Sequence, residues 1–217
     1  MISTGISEVR LTPQAITGML RATLEPMRLV ESIGGIYGKN RNGILSVSDV
    51  FTYTQTQRKP LSVESIPNFS LPRLNSLEEA LKKFNNGQIR LGEYHSHICN
   101  ERIIRKDNLL SEADLLDKEE ALKNFESEEW IEIILRIKKL SSYKGDEEPG
   151  ISFVNRKNML EYRLHTNTKR HLLFKGVFIG YAFSLKDNYD DLKDKYPQDK
   201  QVPKRLSVRE VKVRLKG

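Results

Sequence analysis

The sequence predicts one α/β or α+β domain in which a mixed β-sheet is packed against helices. Three observations carry that expectation. Runs rich in β-formers alternate along the chain with segments of helical apolar spacing. The helical segments start on capping residues. A chain of 217 residues is long enough for a single substantial core. Hydrophobic residues at 38% and charged residues at 30% exclude wholesale disorder. The domain is expected to span 1–217, with its core over about 8–140 and a strand-rich C-terminal extension over about 150–217.

The elements follow in order. "SEVRLTPQAITGMLRATLEPM" opens with a short strand. Thr12 then serves as N-cap and Pro13 as first helical residue of a helix that Pro26 ends. In "RLVESIGGIYGKNRNGILSVSDVFTYTQTQ" two β-rich runs flank the turn-forming cluster Lys39 to Gly43, which predicts a hairpin. Residues 57–76 hold Pro60, Pro67 and Pro72 among polar neighbours and predict a long surface loop. "SLEEALKKFNNG" predicts a helix with Ser76 as cap, Glu79 in capping-box register and Gly87 past its end.

The strand "QIRLGEYHSHI" follows, and then a helix from Leu110 to Phe125, where Leu115, Leu116, Ala121, Leu122 and Phe125 share a face. "WIEIILRIKKL" alternates as a strand, "SSYKGDEEPG" is a loop, and "MLEYRLHT" and "KGVFIGYAFSL" are strands. A charged, proline-interrupted excursion leads to the closing "PKRLSVREVKVRLKG". There Val211, Val213 and Leu215 alternate with Lys212, Arg214 and Lys216, as in a half-exposed edge strand.

Charge and cysteine usage narrow the partners. The net charge is +7, yet 29 acidic residues are interspersed with 36 basic ones, so a nucleic-acid partner is not expected. Cys99 is the single cysteine, which excludes an intrachain disulfide and fits a reducing compartment. The N-terminus lacks a signal-peptide pattern and no apolar run reaches the roughly 18 to 20 residues that span a bilayer, so the expectation is a cytoplasmic protein with no membrane partner. A homo-oligomer is allowed.

Chemistry concentrates in "GEYHSHICNERIIRKDNLLSEADLL", which holds two of the four histidines. On a helix, residues two apart diverge; on a strand they share a face. His95 and His97 then stand about 6.5 to 7 Å apart at Cα, close enough for both imidazoles to approach one Zn²⁺. A catalytic zinc takes three protein ligands and keeps a position open for water. Asp107, Asp114 and Asp117 all lie within reach in sequence, and spacing alone does not choose among them. A pair of histidines hydrogen-bonding locally is the plainer alternative. His165 and His171, in "RLHTNTKRHLLF", form no zinc finger with one cysteine and are assigned to ordinary hydrogen bonding. Cys99 is read as a buried or loop thiol.

"GEYHSH" followed by "LSEADLL" resembles the JAMM motif of the JAB/MPN metalloprotease family, in particular its prokaryotic branch. His95 and His97 match its His-x-His, Ser111 and Asp114 its Ser-x-x-Asp, and Glu31 in "VESIGGIYG" its upstream glutamate. The resemblance covers about residues 8–140. It implies a curved sheet between helices, related to the cytidine-deaminase architecture, and one zinc held by His95, His97 and Asp114. It also implies hydrolysis of an isopeptide or peptide bond near the C-terminus of a ubiquitin-like protein or its conjugates. Two features depart from the family: Ile98 stands where proline is usual, and sixteen residues rather than ten separate His97 from Asp114. Asp107 has the nearer spacing but lacks the serine and the amphipathic helix.

On this reading Glu31 is the catalytic proton acceptor, and Glu93, of the same strand parity as the histidines, is its competitor or an orienting partner. Ser111 is expected to donate to the oxyanion, and Ser-x-x-Asp also serves to cap the helix. A catalytically inactive MPN-type scaffold or interaction domain is the alternative.

Overall fold

The computed structural model describes residues 5–24, 31–53, 56–59, 62–65, 88–99, 110, 112–124, 128–140, 149–166, 172–198 and 201–217. Strand β1 (Glu8–Leu11) runs into helix α1 (Pro13–Leu24), and the backbone N–H of Ala15 donates to Thr12 Oγ1 at 3.2 Å. That is the N-cap expected from Thr-Pro. Strands β2 (Ile33–Arg41) and β3 (Ile44–Thr52) form the expected hairpin. Its two turn residues, Asn42 at φ 52° and Gly43 at φ 75°, both adopt the left-handed conformation that lets a two-residue loop follow the strand twist.

Strands β4 (Thr56–Lys59) and β5 (Ser62–Ser65) pair with each other as a separate two-stranded sheet, where a loop was expected. The helix expected over 76–87, and Pro26, Pro60, Pro67 and Pro72, lie outside the described residues.

Strand β6 (Ile89–Ile98) carries the histidines, α2 (Glu112–Asn124) follows, and β7 (Trp130–Lys139) lies parallel to β6. A parallel neighbour requires a crossover, and α2 belongs to it. Beyond it come β8 (Gly150–Asn155), β9 (Met159–Thr166), β10 (Leu172–Leu185), the short helices α3 (Tyr189–Lys195) and α4 (Val202–Arg205), and β11 (Leu206–Leu215).

The pairing order overturns the helix-flanked sandwich. Neighbours run β11-β1-β3-β2-β6-β7-β10, and β10 pairs again with β11, so seven strands close into a barrel while β9 and β8 continue outward from β10. Among the described residues helices are too few to form covering layers, and strands make up most of them. The correction turns on β11, which the alternation suggested was an edge. It pairs parallel with β1 (Glu8↔Lys212) and antiparallel with β10 (Gly180↔Val211). Val211 and Val213 do point into the core and the charged residues outward, as alternation requires. What alternation cannot report is how many neighbours a strand has.

Two cores result. The first unites Leu45, Ile133, Leu135, Phe178 and Val213 from around the ring with the apolar stripe of α1. The second, on the other face, sets Trp130 and Ile134 of β7 and Val177 and Phe183 of β10 against Leu122 of α2 and Val202 of α4. Strand β7 is therefore buried on both faces, and this double burial explains its near-continuous apolar run. Among the described residues no helix is long and apolar enough to cross a membrane.

Candidate metal centre

Strand β6 is irregular one step before the site. Gly92 pairs with Ile36 and Arg90 with Tyr37, so Leu91 is the extra residue of a bulge. Gly92 has φ 155°, and a Cβ there would stand 1.8 Å from the Ile131 carbonyl oxygen. The bulge changes the strand's parity, and the side chain of Arg90 meets that of Glu93 three residues on. Past it Glu93, His95 and His97 share the face that meets α2, while Tyr94 belongs to the first core.

Three buried hydroxyls set the neighbouring segment. Ser32 N–H donates to Ser96 Oγ at 2.8 Å, Ser96 N–H donates to the Ser32 carbonyl at 2.8 Å, and Thr23 Oγ1 lies 2.8 Å from Ser32 Oγ. Ser96, the residue between the histidines, thus ties the start of β2 to β6. Glu31 is held beside the histidines, its Oε1 3.3 Å from His97 Nδ1. Sequence separation hides this contact; the serine between the histidines is the local signal for it.

The histidine geometry is specific. His95 Nδ1 lies 2.5 Å from Glu132 Oε1, and the Nε2 atoms of His95 and His97 face each other at 2.9 Å, with ring planes at 86°. A carboxylate on each Nδ1 favours the tautomer with the proton there, which leaves lone pairs on both Nε2 atoms. At 2.9 Å the two Nε2 atoms share either a proton, as a hydrogen bond between the rings, or a metal ion. Nitrogens bound to one tetrahedral zinc stand about 3.3 Å apart, so this separation is a few tenths of an ångström short of a chelating pair.

The surrounding charges favour a cation. Arg90 pairs with Glu93, Lys118 with Glu93 and Glu132, and Glu31 lies against His97, so two permanent cations stand among three carboxylates. Lys118 Nζ sits 3.0 Å from Glu93 Oε2 and 3.2 Å from Glu132 Oε1, and the second Glu132 oxygen is buried without a hydrogen-bond partner. Burial alone would lower the pKa of His95; the charge and hydrogen bond of Glu132, with the nearby Asp114 charge, raise it instead.

Glu93 is settled differently. Burial would raise its pKa, but Lys118 and Arg90 outweigh that and bring it to about 2. Tyr53 also donates to it at 2.9 Å. A carboxylate so committed is an anchor and not a proton acceptor at neutral pH, and this removes it as Glu31's competitor.

Helix α2 brings Asp114 toward the histidines. The helix must return the chain toward the start of β7, and Lys118 fixes its level by reaching Glu93 and Glu132, a directly paired couple. Asp114 lies one turn earlier on the same face, about 6 Å along the axis, which is about the separation of Glu93 from His95 on β6. Asp117 is exposed by comparison, and burial raises its pKa, with Lys118 opposing and the charges of Glu93 and Asp114 adding to the rise. Among the described residues no three His, Cys, Asp or Glu side chains form a group that could hold a metal ion. Ser111, Asp107 and His171 lie outside the described residues. Two imidazoles with facing Nε2 atoms are a donor pair of the kind zinc takes, and the described residues add no third donor to that group.

Sequence reasoning missed Glu132, Lys118 and Arg90. The available hint was a single acidic residue inside the apolar run of β7, since a charge buried on both sides must have partners. Cys99 is buried just past the histidines and accepts a hydrogen bond from Arg136 Nε at 3.2 Å.

No family model matches the chain, and no curated protein matches it. Its structure is similar to the solution structure of protein DSY2949 from Desulfitobacterium hafniense, which is 15% identical, with 96% of this chain and 92% of that one covered and a TM-score of 0.47.

Proposed function

We propose that His95 and His97, with Asp114, hold a Zn²⁺ ion, and that the protein is a zinc-dependent hydrolase of JAMM type. The observation that carries the reading is the pair of Nε2 atoms 2.9 Å apart, each on a ring whose Nδ1 faces a carboxylate. The bound ion would supply electrophilic activation of water and of the scissile carbonyl. Glu132 and Glu31 orient the two imidazoles. Glu31 also takes the proton from the attacking water at a carboxylate oxygen and returns it to the leaving amine. Lys118 balances Glu132 and Glu93, so the pocket keeps enough negative charge for a cation without losing its packing. Ser111 is assigned the oxyanion contact by the motif alone.

The substrate class rests on the resemblance of "GEYHSH…LSEADLL": an isopeptide or peptide bond near the C-terminus of a ubiquitin-like protein or its conjugates. The lone cysteine supports a cytoplasmic location. The test is metal content by elemental analysis, followed by hydrolysis of a ubiquitin-like fusion. We expect about one zinc per chain in wild type and in Glu31→Gln, loss of zinc in His97→Ala and Asp114→Ala, and loss of hydrolysis in all three. Retained zinc in His97→Ala would refute the site.

One observation favours a second reading, an interaction domain that keeps the fold without hydrolysis: Glu31 Oε1 is directed at His97 rather than held apart from the ring. Under that reading zinc binds and no substrate turns over.

A further inference from the structure

Strand pairing carries the face of β6 that holds the histidines across three further strands. His97 stands opposite Arg136 of β7, Arg136 opposite Val177 of β10, and Val177 opposite Glu161 of β9. Residues paired across a sheet share a face, and so do residues two apart on one strand. The next row on this face is Lys138 of β7, Lys175 of β10 and Arg163 of β9, each directly opposite the next. A basic row thus crosses three neighbouring strands one step beyond the candidate metal centre, with Arg136 between the two.

The row works against the fold. Like charges directly opposite each other destabilise a sheet, and two such pairs occur here, Lys138 with Lys175 and Lys175 with Arg163. Among the described residues no carboxylate pairs with Lys175 or Arg163, and Glu161, the acidic residue on this face of β9, is turned to Arg156 at 3.3 Å. Arg163 is exposed and Lys138 and Lys175 are half-buried, as long side chains are when their stems lie on apolar surface and their charged heads reach water. An anion laid across the row would relieve the repulsion.

We propose that this row is the docking surface for an acidic segment of a polypeptide partner; the further statement that this partner is the substrate rests on the zinc-hydrolase reading above. A polypeptide is favoured over a nucleic acid by the neighbours of the row. Among the described residues no Phe, Tyr or Trp stands in it or at the paired positions on either side, whereas single strands are held by stacking their bases on such rings. Strand spacings put Lys138 about 8 Å and Arg163 about 16 Å from His97, so a substrate lying along the row carries its carboxylates about three to five residues from the scissile bond.

The experiment uses the full chain and a fluorescent hexaglutamate peptide. Lys175→Glu with Arg163→Glu should weaken its binding about tenfold or more. Lys212→Glu with Lys216→Glu, at exposed positions near the C-terminus, makes the same change in net charge and should leave the affinity within about twofold. Lys175→Gln should also weaken binding, yet leave the urea midpoint unchanged or raised, because it removes two like-charge contacts; a lysine with only a structural role would lower the midpoint. His97→Ala should lose zinc and keep its peptide affinity, so the row and the metal centre fail separately. In a cleavable ubiquitin-like fusion, glutamates three to five residues from the cleaved bond should raise kcat/KM about tenfold over lysines there, mainly through KM, and Lys175→Glu with Arg163→Glu should reverse that preference. Equal weakening by the charge-matched control would mean that net charge alone attracts the peptide, and overturns the proposal. So does a single-stranded oligonucleotide of equal charge that binds more tightly than the peptide at the same salt concentration, which would assign the row to nucleic acid.

Discussion

At the scale of single residues, the arrangement of His95 and His97 depends on atoms far away in the chain. The strand spacing that makes the two rings neighbours is legible in "HSH", because alternation on a strand has period two. Their tautomers are not legible, because they depend on Glu132 and Glu31, brought close only by folding. Glu132→Gln tests this. The amide oxygen can still accept from Nδ1, but the charge is gone. Zinc affinity should fall about 10- to 100-fold, read by competition with a chromogenic chelator. In the metal-free protein, nitrogen chemical shifts should show the His95 proton no longer held at Nδ1 alone. Unchanged affinity and unchanged shifts would make Glu132 a packing residue. Gly92→Ala offers a second check: its Cβ would collide with the Ile131 carbonyl, so the β6–β7 register must yield. A loss of stability on the order of 2 kcal/mol or more in urea unfolding is expected.

At the scale of elements, α2 connects the candidate metal centre to the C-terminal part of the chain. The amphipathic pattern from 110 to 125 shows that a helix exists, and the structure places it at Glu112–Asn124. What the pattern cannot show is how two buried charges on the helix are matched. Lys118 meets Glu93 and Glu132, and Glu119 takes a bidentate contact from Arg205 at 2.6 and 2.8 Å. Lys118→Met leaves Glu93 with Arg90 and Glu132 with His95 as their remaining charge partners in the core. Removing one partner of a buried pair typically costs about 3 to 5 kcal/mol, and a denaturant midpoint will show it. Arg205→Met behaves the same way with a pH signature. Burial would raise the Glu119 pKa, but its bond to Arg205 lowers it below the ordinary 4.5. A depressed carboxylate pKa stabilises fully above the unfolded value and loses that contribution as pH falls through the folded one. The stability gap between wild type and Arg205→Met should therefore be constant above about pH 5 and narrow in acid. A gap independent of pH would mean that the Glu119–Arg205 bond contributes nothing electrostatically.

At the scale of the whole molecule, barrel closure decides which parts of the chain can be spared. Most strands of the barrel were legible from their own alternation or apolar run, whereas β4 and β5 lay in a predicted loop and β8 was assigned to no element. Closure was not, because it depends on a match between Glu8–Leu11 and Lys212–Leu215 across some two hundred residues, and nothing within either strand names the other. The resemblance over about 8–140 suggested a core that ends with β7. The structure instead makes β10 and β11 staves of the ring, with β10 paired along all of β7 and β11 joined to β1. A fragment of residues 1–140 would expose the buried edge of β7 and leave Val9 and Leu11 of β1 without Val211 and Val213. Such a fragment should show no cooperative unfolding transition. The full chain should unfold in a single step, with the fluorescence of Trp130, its one tryptophan and part of the second core, coinciding with the far-ultraviolet signal of the strands. Val213→Asp sharpens the comparison, because it buries one charge at the seam without shortening the chain and should cost several kcal/mol. If 1–140 folds cooperatively by itself, the seam is dispensable and the barrel is not the unit of stability.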